Sequence, residues 1–202
     1  MQLETERLLL RMPRLEDAAA FRALYTDPVA MEFIGGVHPD AATDPAWPVR
    51  KWLERWEKNG TGPFVAELRE DGVVVGRAGF HVWDSRTWEI STYEEAGEHA
   101  QPELGWAFIR THWGHGYARE AAYAAREWGR DERGIEQLIS LIAPGNVRSQ
   151  RLAERLGCMP GETVELFDTG PAVMWEHPAS VGLTELAQAR RRQLGRRRSG
   201  DT

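Results

Sequence analysis

The sequence predicts an α+β fold in which a mixed, mostly antiparallel sheet of about seven strands is flanked by helices. The chain has 202 residues, of which 42% are hydrophobic and 28% charged, as expected for one globular domain with a core. The spacing of its apolar residues predicts strands and helices in the order β-α-α-β-β-β-α-β-α-β-β. A strand, a helix and another strand over residues 103–142 indicate one parallel crossover within the sheet.

The N-terminal part of the chain is predicted to form one strand and two helices. Residues 5–12 form the strand, because three consecutive leucines occupy its centre. Residues 15–25 form a helix, since their apolar side chains recur at helical spacing. Residues 47–58 form a second helix, which the Asn59-Gly60 pair ends.

The middle of the chain is predicted to form a hairpin followed by a long acidic connection. Strands at 64–69 and 73–83 flank Glu70-Asp71-Gly72, which is a turn signal. The stretch 84–102 is too long for a plain connection, so we expect a functional loop or a lid. It carries five acids: Asp84, Glu89, Glu94, Glu95 and Glu98.

The C-terminal half is predicted to complete the sheet and to end in a tail. A strand at 103–109, a helix at 118–130, a strand at 137–142 and a helix at 146–156 precede a closing hairpin. Residues 1–178 are therefore predicted to form one domain. Residues 179–202 form a basic C-terminal tail, in which residues 183–194 read as a polar helix.

Charge and composition restrict the function classes. The formal net charge of −6 argues against a nucleic-acid binder. From Ser180 onward six arginines outweigh two acids, so the preceding body is more acidic still and suits a cationic substrate. No apolar run approaches the roughly 18 residues of a membrane helix, and no secretory signal is visible, so a cytoplasmic protein without membrane contact is expected. The single cysteine, Cys158, is expected to be a buried small hydrophobe.

The segment that carries chemistry covers residues 102–122, with the sequence PELGWAFIRTHWGHGYAREAA. A strand ends, a loop with Gly114 and Gly116 follows, and a helix begins at once. The first turn of a helix offers free N–H groups and the positive end of its dipole, and glycines let a ligand approach closely. The segment therefore predicts a phosphate cradle. The standard nucleoside triphosphate and dinucleotide patterns are absent.

Three sequence matches occur in the same order as in a known family. The segments ELGWAF (103–108) and WGHGYAREA (113–121) resemble the cofactor motif of the GNAT superfamily of N-acetyltransferases, in the form found in its RimJ/RimL-like branch. NVRS (146–149), LGC (156–158) and TERLLLR (5–11) resemble further segments of that branch. The chain departs from the usual pattern at Trp113, His115 and Cys158.

The resemblance implies an acetyl-CoA-dependent N-acetyltransferase with a three-layer GNAT-like fold, in which a parallel strand pair splays around the pantetheine arm. It implies acetyl-CoA as co-substrate and no metal. Asn146 is expected beside the pantetheine. Phe108, Ile109 and Arg110 are also expected along the pantetheine. The residues expected around the pyrophosphate are Gly114, His115, Gly116, Tyr117, Ala118 and Arg119.

The reaction that the resemblance implies is direct attack of a neutral primary amine on the thioester, so a base must take the proton of the ammonium. Glu103 is the candidate base; the alternative is a solvated acid at the start of a strand. Ser149 is the candidate donor to the departing thiolate; the alternative is an ordinary serine in the first turn of a helix. Arg148 and Arg151 are equally consistent with binding the 3′-phosphate and with a solvated helix face.

The acceptor stays open between a protein N-terminal amine, a polyamine and an aminoglycoside-like molecule, and the acidic stretch favours a cationic one. Trp83, Trp88 and Trp106 are candidates for the wall of its pocket. The alternative function is a catalytically silent acetyl-CoA-binding sensor or interaction module. A homodimer is consistent with the branch resemblance. His112 and His115 lack a third ligand at recognisable spacing, so they do not indicate a metal site.

Overall fold

The computed structural model describes residues 1–179, so the helix predicted at 183–194 lies outside the described residues. The strands are β1 Gln2–Glu4, β2 Leu8–Arg11, β3 Pro63–Leu68, β4 Val74–Asp84, β5 Glu89–Ile90, β6 Ala100–Phe108, β7 Ile139–Ile142, β8 Met159–Leu166 and β9 Gly170–Glu176. The helices are α1 Ala18–Tyr25, α2 Pro28–Met31, α3 Trp47–Asn59, α4 Tyr93–Ala96, α5 Tyr117–Arg133 and α6 Val147–Arg155. None of these helices combines the length and the apolar character that crossing a bilayer requires.

The nine strands form one mixed sheet in the order β1-β2-β3-β4-β6-β7-β9-β8, with β5 paired to β4. Every neighbouring pair is antiparallel except β6 and β7, which are parallel. The predicted class, a mostly antiparallel sheet with one parallel crossover, is confirmed. The crossover connection is α5, which lies between β6 and β7 in the chain.

The sheet has two more strands than the sequence predicted. The first predicted strand at 5–12 is broken, because the Thr5 hydroxyl and the Thr5 N–H both donate to the Leu8 carbonyl, at 3.0 and 2.9 Å. This turn folds β1 back onto β2. The second addition is β5, which lies inside the stretch predicted as a long loop. There the Thr92 hydroxyl also caps α4, by accepting from the Glu95 N–H.

Helices cover both faces of the sheet, so the molecule has three layers. Successive residues of β3 point to opposite faces: Phe64 joins the core under α5, and Val65 joins the core under α1 and α3. On the α5 side the packing is close, because a Cβ on Gly129 would lie 2.5 Å from the Phe80 ring. The three-layer arrangement that the GNAT resemblance implied is therefore present.

Cys158 lies in the core on the α5 side and is 4% exposed. It follows Gly157, whose φ of +80° ends α6 in the left-handed region. Burial raises the pKa of the Cys158 thiol to about 11, so the thiol is protonated at neutral pH. The expectation of a buried small hydrophobe is confirmed.

Candidate active site

The parallel strands β6 and β7 are paired at one position only, Glu103 with Ile139. Just beyond it, the Ser140 hydroxyl donates to the Leu104 carbonyl at 2.6 Å. Past this bond β6 continues to pair with β4, and β7 continues to pair with β9. The two strands therefore separate and leave a gap in the middle of the sheet.

A cavity of about 800 Å³ lies at this gap. Its walls come from β6 and β7, from the start of α6, from α3 and from the segment 88–95. The three tryptophans predicted to wall a substrate pocket, Trp83, Trp88 and Trp106, all line this cavity. That the cavity binds the acceptor stays a prediction. A cavity of this size is within the range of small-molecule sites.

Glu103 lies in the wall of the cavity at the point where the strands separate, and it is 8% exposed. Its carboxylate accepts from the Trp83 indole N–H at 2.7 Å and from the Leu141 backbone N–H at 3.4 Å. Burial raises the pKa of Glu103; the Trp83 and Leu141 bonds and the charges of Arg77 and Arg55 oppose that rise. The result is a carboxylate with a higher proton affinity than an exposed one.

Asn146 and Ser149 lie together at the start of α6 and also line the cavity. Asn146 caps the helix, because its side-chain oxygen accepts from the Ser149 N–H at 3.1 Å. The cap uses the amide oxygen, so the amide NH₂ remains as a donor. The Ser149 hydroxyl accepts from the Trp106 indole at 3.2 Å, which leaves its own hydrogen as a donor.

The predicted phosphate loop lies at the start of α5. Gly114 and Gly116 both have φ of +83°, a left-handed conformation that favours glycine. Gly116 is the N-cap and has no side chain to satisfy the first N–H groups of the helix, which precede the first helical bond from the Glu120 N–H to the Gly116 carbonyl. A Cβ on Gly114 would meet no atom within 4 Å. The free N–H groups and the open approach suit an anion such as pyrophosphate.

Arg7 fixes this loop, a role that sequence reasoning missed. Its guanidinium donates to the His115 carbonyl at 2.8 Å and pairs with Glu120 at 2.7 Å. It also lies 4.8 Å from the centre of the Tyr117 ring, which stacks on the His115 ring. Tyr117 is thus a packing residue beside the loop. No local signal links Arg7 to a loop more than a hundred residues away.

The residues predicted along the pantetheine differ in what their backbones offer. The Ile109 N–H donates to the Val75 carbonyl at 2.9 Å, so it faces β4. Because neighbouring strand residues alternate, the backbone groups of Phe108 and Trp106 face the gap instead. The Phe108 carbonyl accepts from the Trp113 indole at 2.7 Å, which leaves the Phe108 N–H and the Trp106 backbone for a ligand. The Arg110 side chain is ion-paired with Asp27 at 2.6 Å.

Beside the phosphate loop, Arg148 lies with its guanidinium carbon 4.5 Å from the centre of the Trp113 ring. Trp113 therefore holds a cation close to the start of α5. Arg119 is exposed in the first turn of the same helix. Arg151 is exposed on α6 and has no described ion pair.

Two further cavity residues, Arg55 and Arg77, were missed by the sequence reasoning. Arg55 on α3, with Arg77 and His81 on β4, lines the cavity on the face that α3 covers. The Arg55 guanidinium lies 2.7 Å from His81 Nδ1, and the Arg77 guanidinium lies 3.4 Å from His81 Nε2. Burial and the two guanidinium charges hold the pKa of His81 well below its usual range, so the imidazole is neutral. The available signal was the spacing of Arg77 and His81 on one face of an otherwise apolar strand.

The acidic stretch contributes to the cavity only in part. The pKa of Asp84 is lowered to about 2 by its bond from the Arg86 side chain, so its charge is already paired. Glu89 and Glu95 line the cavity. The stretch is thus a wall built from β5 and α4 rather than an irregular loop.

The strand break, the cavity and the glycine loop before α5 form the arrangement that the GNAT resemblance implies for a coenzyme A-dependent acyltransferase. Residues 7–159 match the model of the acetyltransferase (GNAT) domain family, so the chain belongs to the GNAT acetyltransferases. It is an acetyltransferase of that family, with acetyl-CoA as its co-substrate.

Relatives and solved structures agree with this assignment. YkkB of Bacillus subtilis is 32% identical over 174 residues, which cover 85% of this chain and 93% of YkkB. YnaD of B. subtilis, described as an N-acetyltransferase, is 27% identical over 158 residues, or 78% of this chain and 82% of YnaD. An acetyltransferase structure from Agrobacterium tumefaciens has a TM-score of 0.71 at 28% identity, covering 88% of this chain and 95% of that one. RimL, a ribosomal L7/L12 α-N-protein acetyltransferase, shares the fold, with a TM-score of 0.68 at 12% identity over 88% of this chain and 93% of RimL.

We predict that Gly116→Ala weakens acetyl-CoA binding. An alanine at φ +83° is strained by about 1–2 kcal/mol, and its Cβ would lie 3.4 Å from the Arg7 side chain that fixes the loop. Bound ligand at 100 dissociation constants stabilises the wild type by about 2.7 kcal/mol, so acetyl-CoA should raise its melting temperature. The variant should show a much smaller rise at the same acetyl-CoA concentration.

The matched control is Gly134→Ala, at the other end of α5. Gly134 also has a positive φ, of +64°, and a Cβ there would meet nothing within 4 Å. This variant should melt at a lower temperature than wild type, but acetyl-CoA should raise its melting temperature by as much as it raises that of wild type. Equal shifts in wild type and Gly116→Ala would mean that the phosphates bind elsewhere.

Proposed function

We propose that the protein transfers the acetyl group of acetyl-CoA to a primary amine by direct attack of the amine on the thioester, with Glu103 as the base and Ser149 as the donor to the departing thiolate. The observation that carries this proposal is the buried Glu103 carboxylate at the point where β6 and β7 separate, in the wall of the same cavity as Ser149. The proposed base, on β6, and the proposed thiolate donor, at the start of α6, thus line one cavity.

Glu103 suits the role of base because an amine is mostly an ammonium ion at neutral pH and has no free lone pair in that form. A carboxylate that takes this proton produces the nucleophile inside the cavity. Its raised pKa makes Glu103 a stronger base than an exposed glutamate. The Trp83 N–H orients one of its oxygens and leaves the remaining lone pairs free to accept.

The bond changes balance with these two side chains. The amine nitrogen forms a bond to the carbonyl carbon, and the carbon–sulfur bond breaks as the thiolate leaves. One proton passes from the ammonium to Glu103 and then to solvent; the second amine proton passes to the sulfur, giving an amide and free thiol. The Ser149 hydroxyl donates a hydrogen bond to the sulfur as negative charge develops on it.

The coenzyme A contacts proposed for the chain follow from the backbone geometry. The pyrophosphate lies at residues 114–119, where the N–H groups of α5 are free. The pantetheine lies in the gap, with the Asn146 NH₂ and the Phe108 N–H as donors. Ile109 and Arg110 then act by shaping the strand end, since the Ile109 N–H is already bonded to β4 and the Arg110 side chain to Asp27.

The acceptor enters from the face of the sheet that α3 covers. Glu89, Glu95 and Glu103 line the cavity there, which favours an amine that arrives as an ammonium ion. Release of free thiol is the assay, with peptides, polyamines, aminoglycosides and amino acids as acceptors. Thiol release with at least one amine distinguishes the enzyme from a silent acetyl-CoA-binding module.

We predict that Glu103→Gln lowers turnover by about 10²- to 10⁴-fold near neutral pH, the usual range for a general base. Because the pKa of Glu103 is raised, the wild-type rate should fall as the pH decreases through that raised value and the carboxylate becomes protonated. The variant should lack this acidic limb. Its deficit should shrink as the pH rises towards the pKa of the amine, because solvent then supplies neutral amine.

The control for this comparison is Glu98→Gln, which removes an exposed acid of the neighbouring segment and should leave the pH–rate profile unchanged. Acetyl-CoA should stabilise wild type and both variants equally, which shows that the cofactor site is intact. Profiles of equal height and shape for wild type and Glu103→Gln would remove Glu103 from the mechanism.

We predict that Ser149→Ala lowers turnover less than Glu103→Gln does, by roughly 10- to 100-fold, the loss expected for one hydrogen bond to a developing negative charge, about 1.5–3 kcal/mol. Since Ser149 acts on the sulfur, the loss should be the same at every pH and with every amine. A loss that disappears at high pH would assign Ser149 to the amine instead of the thiolate.

We further propose that residues 1–178 are the catalytic domain and that residues 179–202 are dispensable for catalysis. The cavity and the phosphate loop lie wholly within residues 25–169, and His177 closes the described sheet by donating its N–H to the Leu138 carbonyl at 2.9 Å. A protein that ends at residue 178 should keep the turnover of the full chain, and acetyl-CoA should raise its melting temperature by the same amount. A truncated protein that folds but whose melting temperature does not rise with acetyl-CoA would contradict the proposal that the tail is dispensable.

A further inference from the structure

Two arginines meet inside the cavity with one neutral histidine between them. Arg77 is 6% exposed and Arg55 is half-buried, and both line the cavity near Glu103. The contacts that these guanidinium groups make within residues 1–179 are few. Arg55 contacts His81, whereas Arg77 contacts His81 and the Tyr25 hydroxyl, the latter at 3.3 Å.

The histidine cannot satisfy both arginines. A neutral imidazole has one nitrogen that accepts and one that donates. The 2.7 Å contact to Arg55 marks Nδ1 as the acceptor, so Nε2 carries the hydrogen and faces the Arg77 guanidinium, donor against donor, at 3.4 Å. Each guanidinium has five N–H donors. Most of the donors of this pair are therefore left to whatever enters the cavity.

The charge of the pair is also unmatched. Among residues 1–179, neither Arg55 nor Arg77 has a carboxylate within salt-bridge distance, although thirteen such pairs occur elsewhere in that part of the chain. Burial, followed by repulsion from Arg77, lowers the pKa of Arg55 to about 10, so Arg55 stays charged at neutral pH. Two neighbouring desolvated cations destabilise the protein unless an anion joins them.

The pair is held in place for such an anion. The Arg77 guanidinium carbon lies 5.6 Å from the centre of the Trp52 ring, and its Nε–H is directed at the Tyr25 hydroxyl. These contacts fix one edge of the guanidinium and leave its outer nitrogens available. Guanidinium groups recognise carboxylates through two parallel N–H···O bonds, so the anion best matched to this arrangement is a carboxylate.

The His81 side chain lies between the two arginines and the candidate base. His81 pairs with Glu103 across β4 and β6. The nearest His81 ring atom and a Glu103 oxygen lie 3.3 and 3.7 Å from the same point, where a Cβ on Gly105 would be. Gly105 has no side chain, so the His81 ring and the Glu103 carboxylate approach the same small space. Because His81 contacts both arginines and is the cross-strand partner of Glu103, a short ligand suits an amine at Glu103 and a carboxylate at the arginines.

We propose that the acceptor is a small amino acid, whose carboxylate binds Arg55 and Arg77 while its amine faces Glu103. This inference rests on the proposed N-acetyltransferase function and specifies its acceptor. Polyamines and aminoglycosides are disfavoured, because a second cationic group would meet the two guanidinium groups. The acids that line the cavity then bind the ammonium end, and the arginines bind the other end.

The test compares acids with their own amides. Thiol release from acetyl-CoA is measured with common α-amino acids, with β- and γ-amino acids, and with the primary amide of each. The amine of an amide has a lower pKa than that of the free acid, so more of it is neutral at pH 7. Without recognition of the carboxylate, the amides would be the better acceptors. We expect instead that kcat/KM for at least one acid exceeds that of its amide by about 10- to 100-fold, the effect of bonds to a charged group.

Arg55→Gln is the informative variant, because Arg55 is less buried than Arg77. It should lower kcat/KM for the acid more than kcat/KM for the amide, which removes the preference for the acid. The matched control is Arg50→Gln, on the same helix, where the exposed side chain pairs with Asp44 outside the cavity. This control should keep the full preference. The acetyl-CoA shift reports whether each variant is folded, and should Arg55→Gln fail to fold, the acid–amide comparison on wild type decides.

Each outcome separates this inference from the proposed function. Amides that react as well as acids, or equal losses for both in Arg55→Gln, would overturn the inference while the transferase activity stands. Absence of thiol release with every amine would overturn the proposed function. In that case calorimetry with N-acetylamino acids and their amides decides the inference: binding of the acid alone, lost in Arg55→Gln, supports carboxylate recognition, and no binding overturns it.

Discussion

Strands β6 and β7 lie side by side in the sheet but share one paired position, and the active site depends on this break in the hydrogen-bond ladder. An unpaired backbone inside a protein is costly unless water or a ligand satisfies it. Here two side chains satisfy part of it: the Ser140 hydroxyl donates to the Leu104 carbonyl and the Trp113 indole donates to the Phe108 carbonyl. The backbone of Trp106, between them, faces the cavity, where an extended amide-containing ligand such as pantetheine can pair with it.

The same break explains why one acid acquires a raised pKa. Leu141 belongs to β7, and its N–H donates to the Glu103 carboxylate instead of to a backbone carbonyl of β6. The carboxylate thus occupies a position that a regular sheet would fill with a ladder bond. It is buried because it lies inside the sheet layer, and it is accessible because the strands have separated. Glu103 is therefore buried and yet lines the cavity, a combination that comes from the geometry of the two strands.

The parts of the site that lie close in sequence could be predicted, because a strand, a loop and a helix form one local unit. The helix predicted at 118–130 is α5, and Gly116 is its N-cap, as the phosphate-cradle argument requires. Asn146 and Ser149 meet through one turn of α6. Their roles as ligands stay predictions, since no geometry of the protein alone tests them.

The parts that depend on how distant elements pack could not be predicted. Arg55 lies next to the buried Trp56 on α3, at the edge of the apolar face, where a solvated arginine is the ordinary expectation. Only the packing of α3 over β4 turns it towards His81. The broken first strand follows from the hydrogen bonds of Thr5. The strand β5 has two residues, which are too few to show an alternation of apolar and polar side chains. Apolar periodicity reports which face is buried; it does not report which polar side chains are buried with it.

In the proposed mechanism, the charges in the cavity would link binding of the acceptor to the strength of the base. Burial raises the pKa of Glu103, and Arg55 and Arg77 limit that rise, because their positive charges favour the carboxylate form. A carboxylate bound between the guanidinium groups cancels much of that field, and the Glu103 pKa then rises further. The base would therefore take a proton most readily when an amine with the right anionic group is in place. An amine without that group would meet a weaker base and an uncompensated positive field, which disfavours its ammonium form at the mouth of the cavity. Discrimination would then arise in the proton transfer as well as in binding, and both effects originate from the same two buried arginines.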